Sequence, residues 1–348
     1  MSEQGLDKTL LQRWWPLIVF TNVAVCVWSG WLWYVGPENA LQTIARHWEV
    51  ALTMVFGSFV AGASSEGGGA VAFPVFTKVL HIAPADARLF ALAIQSVGMS
   101  AASLAIIAMR VRVDWRAIGW TAVGGAIGVS SCLMWIAPHA PPAETKMLFT
   151  AMQASFAITL IITLTKFQSR GQGIRLSKWG GPALLAVCGL VGGVASGLVG
   201  SGIDLLVFSM LVLLFRLSEK VATPTSVIIM AINSLVAMAF YHVFVGPLPA
   251  SVHAMWLSAA PIVVIGAPVG ALVCSLLSRE AIAMSLIGLI AIEVTTTFLL
   301  LPLTPSVLAV AVVAGGAFSY LHYSMARCQS FDPQTLRHRR SSHTPYAA

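Results

Sequence analysis

Two glycine-rich interruptions of otherwise apolar sequence gather the residues of this chain that could do chemistry. They are Ser64-Ser65-Glu66-Gly67-Gly68-Gly69 and Gly200-Ser201-Gly202-Ile203-Asp204. A half-helix that starts inside a bilayer presents unpaired N–H groups and the positive end of its dipole, and both attract an anion. Glycine lets a ligand come close to that backbone. Two such starts facing each other would form an anion cradle. The plainer alternative is that the glycines only let helices pack closely.

Each break carries an acid, Glu66 or Asp204. A charge at the bilayer centre costs at least ~2.5–3.5 kcal/mol, so such a residue needs a role. Capping is one: Ser201 and Asp204 have the S-x-x-D spacing, and Glu66 stands in a first turn. Protonation coupled to binding is the other, because a bare carboxylate beside an anion repels it. The two roles are compatible, and Glu66 and Asp204 are the candidates for a coupling proton. Neutral polar residues follow each break and can orient an oxyanion without a full charge. The expected binding set is Ser65, Glu66, Gly67, Gly68, Gly69, Gln95, Gly200, Ser201, Gly202, Asp204, Thr225, Ser226, Asn233 and Ser234. Thr223 and Ser100 belong to the same polar faces, and hydrogen bonding between helices is their alternative use.

Other polar residues point elsewhere. Arg88 is expected to pair with Asp86 or reach the interface, His81 and His242 lie near predicted membrane surfaces, and Glu293 has no partner visible in sequence. The cysteines Cys26, Cys132, Cys188, Cys274 and Cys328 lack metal or redox spacing, and no catalytic motif is present. No enzyme activity, metal or cofactor is therefore expected.

The elements that must position these residues are membrane helices. Of 348 residues 57% are hydrophobic and 9% charged, against about 25% charged in a soluble domain. So few charges cannot cover a water-facing surface. The net charge of +7 sits in short loops and the tail, where it sets topology, so no nucleic-acid partner is expected. The apolar run from Trp14 to Val35 is too long and tryptophan-rich for a cleaved signal and predicts a first transmembrane helix. Further apolar stretches follow to residue 326. Those at 67–80 and 203–215 are short for a span and suit half-helices of re-entrant hairpins.

Lys and Arg concentrate at Arg110–Arg116, Lys166–Lys178 and beyond Arg327, while the connections near 138–146, 246–251 and 302–305 hold little positive charge. Both termini are then cytoplasmic, and the two hairpins must enter from opposite sides. An inverted repeat satisfies this. Val60-Ala61-Gly62 resembles Ala195-Ser196-Gly197, Gln95-Ser96 resembles Asn233-Ser234, and Gly124, Gly128 and Cys132 resemble Gly266, Gly270 and Cys274. The predicted fold is an all-α integral membrane protein of about ten helical segments. It has two inverted repeats, each a glycine-broken re-entrant hairpin plus three spans, and extra first and last helices. The expected divisions are a tail and first helix (1–47), repeat one (48–167), a basic loop (168–180), repeat two (181–301), a last helix (302–326) and a disordered basic tail (327–348).

SSEGGGAVAFPVFTKVLHI with AIQSVGMSAAS, and GGVASGLVGSGIDLLVFSMLV with EKVATPTSVIIMAINS, resemble the two repeats of the TauE/SafE sulfite-exporter family. The resemblance covers residues 48 to 326 and implies a membrane carrier for sulfite, sulfonates or related organic anions. Its partners would be a small anionic substrate and the lipid bilayer, in the cell (inner) membrane, with homo-oligomerisation open. Where the family commonly runs several glycines together in both repeats, this chain has Ile203-Asp204 in the second. An anion channel is the alternative function, and an intramembrane enzyme or receptor is less favoured.

Overall fold

A computed structural model describes residues 3–64, 67–166 and 180–327 of the chain. Ser65, Glu66, nearly all of the basic loop at 168–180 and the tail beyond Arg327 lie outside the described residues. Among the described residues there are thirteen α-helices and no strand: α1 Glu3–Val35, α2 Ala40–Arg46, α3 Trp48–Ala63, α4 Gly69–Pro74, α5 Pro84–Ala108, α6 Trp115–Ser131, α7 Pro142–Lys166, α8 Gly180–Val199, α9 Ile203–Ser209, α10 Glu219–Phe240, α11 Ala250–Leu276, α12 Arg279–Leu300 and α13 Pro305–Arg327. Eight spans in them are long and apolar enough to cross a membrane. The chain is an all-α membrane protein. The short α2, between the first span and repeat one, was not anticipated from sequence.

The glycine breaks stop helices because their backbones leave helical space. After α3, Ser64 is extended and Gly67 takes a positive φ of 66°, so α4 restarts at Gly69. After α8, Gly200 and Gly202 have φ of 84° and 140°, and α9 restarts at Ile203. Each half-helix ends in one widened turn, Val75–Val79 or Met210–Leu214. Each then reverses at a left-handed residue, His81 (φ 53°) or Arg216 (φ 55°). The closing bonds match as well. Leu80 N–H donates to Val75 O and Ile82 N–H to Phe76 O, as Phe215 N–H does to Met210 O and Leu217 N–H to Leu211 O. Every one of these pairs is 135 positions apart, so the two hairpins are copies.

Their orientations are opposed. At one end of the bundle the Asp86 carboxylate accepts from Ser251 Oγ, and Arg88 Nη1 donates to Ala137 O. The first hairpin reverses at this end. At the other end the Asp114 N–H donates to Thr225 Oγ1, and the second hairpin reverses there. The repeats also exchange partners: α6 of the first packs along α8 of the second, and α11 of the second along α3 of the first. Small residues permit both crossings. A Cβ on Gly124 or Gly128 would strike the carbonyls of Ala186 or Leu190, and one on Gly266 or Gly270 would strike Ser58 or the Phe59 carbonyl. Gly124 and Gly266, like Gly128 and Gly270, thus do the same work in inverted positions.

The register corrects one expected match. With α5 and α10 starting 135 positions apart and no insertion inside them, Gln95 corresponds to Met230, not Asn233, and Arg88 corresponds to Thr223. Helices α1 and α13 flank the repeats. Indole N–H groups of Trp28 and Trp31 hold α1 to the Pro261 and Leu257 carbonyls of α11. Ser155 and His322 join α7 to α13.

Candidate functional site

The second break is organised by Asp204. This residue is completely buried, and its Oδ1 accepts the N–H groups of Gly202 (2.9 Å) and Leu205 (3.0 Å), with Ser201 Oγ at 3.5 Å. Ile203 N–H donates to Ser196 Oγ at 3.0 Å. The N–H groups expected to face a ligand at this half-helix are therefore largely taken by the protein's own carboxylate and hydroxyl. Asp204 thus caps the start of α9 through its Oδ1.

Its second oxygen points elsewhere. Asp204 Oδ2 has no hydrogen-bond partner among the described residues, and it faces the first break. A Cβ added at Gly67 would collide with Asp204 Oδ2, and would lie 2.9 Å from Gln95 Oε1 and 3.4 Å from Ser201 Oγ. Gln95 has a fixed orientation. Its Nε2 donates to Ala91 O (3.0 Å) and to Gly200 O (2.8 Å), so its Oε1 must turn away from these carbonyls and is also without a partner. Gly67, Gln95, Gly200, Ser201 and Asp204 thus meet at the centre, where one half-helix start abuts the other. A buried acceptor without a donor costs about 1–3 kcal/mol. Two of them converging on the Gly67 backbone mark a place for a proton or a donor-bearing ligand.

The remaining expected residues are placed as follows. Gly68 caps α4 and faces the Gly57 carbonyl and Ala61 with room to spare. Gly69 opens α4, and Gly202 is the N-cap residue of α9. Asn233 lies beside Gly125, whose added Cβ would be 3.0 Å from Asn233 Oδ1 and 2.5 Å from Ile203 Cδ1, so Asn233 borders the second break. Ser234 is buried and its hydroxyl has no partner among the described residues. Among the described residues, no contact brings Thr225 or Ser226 to the centre. Thr225 Oγ1 donates to Val221 O and accepts from Asp114 N–H, while Ser226 Oγ donates to Thr223 O.

Glu293, unexplained in sequence, has a partner that sequence reasoning missed. Lys78 Nζ, on the first hairpin, lies 2.9 Å from Glu293 Oε2, 2.7 Å from Thr297 Oγ1 and 3.2 Å from Thr296 Oγ1. Glu293 Oε1 accepts from Thr150 and Thr297, each at 3.1 Å. The available signal was one lysine and one glutamate, each alone in an apolar segment, since intramembrane charges pair.

Residues 50–294, most of the chain, match the family model described as sulfite exporter TauE/SafE. The chain belongs to the TauE/SafE family. Searches of curated proteins and of solved structures return no match. Membership makes the chain a multi-pass membrane transport protein, and the matched range takes in both hairpins, α5 and α10 to α11. It also contains Lys78 and Glu293, so the ion pair lies within the family's own portion of the chain.

Proposed function

We propose that this TauE/SafE member is a secondary transporter for a small anion such as sulfite, a sulfonate or a related organic acid, working by alternating access. The observation that carries this reading is the meeting of Gly67 with Ser201, Asp204 and Gln95, residues of both inverted repeats, at the middle of the bundle. A site shared by two opposed halves can be exposed to either side by rocking one half against the other. In this reading the repeats span 48–167 and 181–301, the basic loops and both termini face the cytoplasm, and the protein resides in the cell membrane.

Asp204 fits the coupling role. With Oδ1 occupied by capping, protonation falls on Oδ2, which turns an anion-repelling oxygen into a hydrogen-bond donor aimed at the central site. Glu66, next to Gly67, is the second candidate. The binding set remains that of the two breaks with Gln95, Asn233 and Ser234.

Purified protein in proteoliposomes, assayed for flux of sulfite, sulfonates, carboxylates and chloride with and without an imposed proton gradient, tests the reading. Saturable flux with counterflow of one of these anions is the expected result. Conductive flux without counterflow would replace the carrier with an anion channel, and no flux of any of them would remove the transporter reading.

A further inference from the structure

A cavity of about 550 Å³ opens at the end of the bundle where α5 and α11 finish and α10 begins. Two cations line it, Arg112 and Lys220, and both are exposed. Its wall also includes Thr223, Cys274 and Gly62, the last of these one residue before α3 ends at Ala63 ahead of the first break. Thr223 is buried, and its Oγ1 has no hydrogen-bond partner among the described residues. A cationic mouth, an unsatisfied hydroxyl on the wall and a glycine of α3 just ahead of the first break are the features of an oxyanion vestibule.

The inverted repeat gives this cavity a counterpart at the opposite end, where the same elements are arranged otherwise. Thr223 corresponds to Arg88, Cys274 to Cys132 and Gly62 to Gly197. Arg88 is buried, donates through Nη1 to Ala137 O at 3.1 Å, and lies within electrostatic reach of Cys132, Tyr241 and Asp86. Cys132 is fully buried. Gly197 faces it so closely that an added Cβ would lie 2.6 Å from Cys132 Cβ, whereas Gly62 meets Ala267 and Ala271 and leaves Cys274 on the cavity wall. Gly200 packs on the Arg88 carbonyl at the same place. Where one end has Thr223 on a cavity wall, the matching position at the other carries a buried guanidinium.

We propose that the Arg112–Lys220 cavity is the vestibule through which the anion reaches the central site, and that Arg88 closes the symmetry-related vestibule at the opposite end. The ligand class is a small oxyanion of the sulfonate kind, drawn by Lys220 and Arg112 and met by the Thr223 hydroxyl. The proposal rests on the transporter reading for its purpose, but its geometry stands without it. Cys274 and Cys132 then become inverted reporters of the two vestibules.

The test uses full-length protein in membrane vesicles of each orientation, in variants that keep only Cys274 or only Cys132. The probes are two membrane-impermeant methanethiosulfonates, one carrying a sulfonate and one a trimethylammonium. Cys274 should react from the basic-loop side and Cys132 from neither. Lys220→Glu should slow sulfonate-reagent labelling of Cys274 about tenfold relative to the cationic reagent, as electrostatic attraction into a charged cleft requires. Arg88→Ala should make Cys132 reactive from the opposite side by tenfold or more, while Arg88→Lys, which keeps a long cationic side chain, should not. An unreactive Cys274, a Lys220→Glu effect equal for both reagents, or a Cys132 that stays silent in Arg88→Ala and elutes as folded protein would each overturn the proposal. Labelling needs no flux. The vestibule can therefore be upheld while the transporter reading fails, and the reverse.

Discussion

The two broken hairpins share a backbone to within matching turns and hydrogen bonds, yet they differ at Lys78, an ion-paired residue whose counterpart in the second copy is apolar. The first is tied to α12 and α7 by charge and hydroxyls: Lys78 to Glu293, Thr296 and Thr297, Glu293 to Thr150, and Lys146 Nζ to the Thr77 carbonyl at 3.2 Å. At the position equivalent to Lys78 the second hairpin has Leu213, fully buried, and every residue from Ile203 to Leu217 is buried. Its contact with α7 is Phe208 on Phe156, edge to face with centroids 5.7 Å apart, and His322 of α13 backs the same ring. Backbone form and anchoring chemistry are thus separate properties. Inverted geometry demands the same break and reversal twice. The anchor only has to bury its hairpin: at Lys78 it does so with directional polar bonds, and at the matching Leu213 with non-directional apolar contact.

The largest expected effect breaks the polar anchor. Glu293→Ala strands the Lys78 ammonium away from water and should destabilise the fold by about 3–5 kcal/mol, while Lys78→Met with Glu293→Gln should recover most of that loss. Thermal unfolding in detergent, followed by size-exclusion fluorescence, measures both. Equal stability of single and double variants would show that the pair holds nothing.

Next comes the centre, where the breaks differ. Gly67→Ala adds a left-handed penalty of about 1–2 kcal/mol to a collision with Asp204 Oδ2, and should abolish transport. Gly68→Ala meets nothing closer than 3.5 Å and should transport at near wild-type rates. Similar flux in the two variants would remove the Gly67–Asp204 contact from the mechanism.

Asp204→Asn sharpens the same contrast at smaller cost. An amide oxygen still accepts from Gly202 and Leu205, so α9 stays capped, but no proton can be carried. Net flux should lose its pH dependence while anion exchange persists. A wild-type pH profile would move the coupling proton to Glu66 and leave Asp204 as a cap.

The smallest effect belongs to the apolar anchor. Phe208→Leu loses an aromatic pair worth about 0.5–1.5 kcal/mol, and the surrounding core absorbs most of the volume change. A loss as large as that of Glu293→Ala would contradict the division between the two anchors.

Sequence by itself determined the features that are local or compositional. A charge fraction of 9% requires lipid around the surface, and the half-helices were legible because glycine runs and shortened apolar stretches coincide twice. The inverted arrangement followed from Lys and Arg placement together with glycines four apart at Gly124, Gly128, Gly266 and Gly270, since close crossing leaves no room for a side chain. What tertiary structure alone decided is every pairing between distant segments. Glu293 and Lys78 lie 215 positions apart, so each was readable only as a lone charge. Gln95 and Asp204 reach one point because the two breaks abut, a contact that no periodicity encodes. Asn233 was matched to Gln95 by residue type, but the helix register matches Met230, because a helix fixes position by counting and not by chemistry. Arg88, expected to pair with Asp86 or reach the interface, is buried and donates to the Ala137 carbonyl, a partner set by the packing of α5 and not readable in sequence.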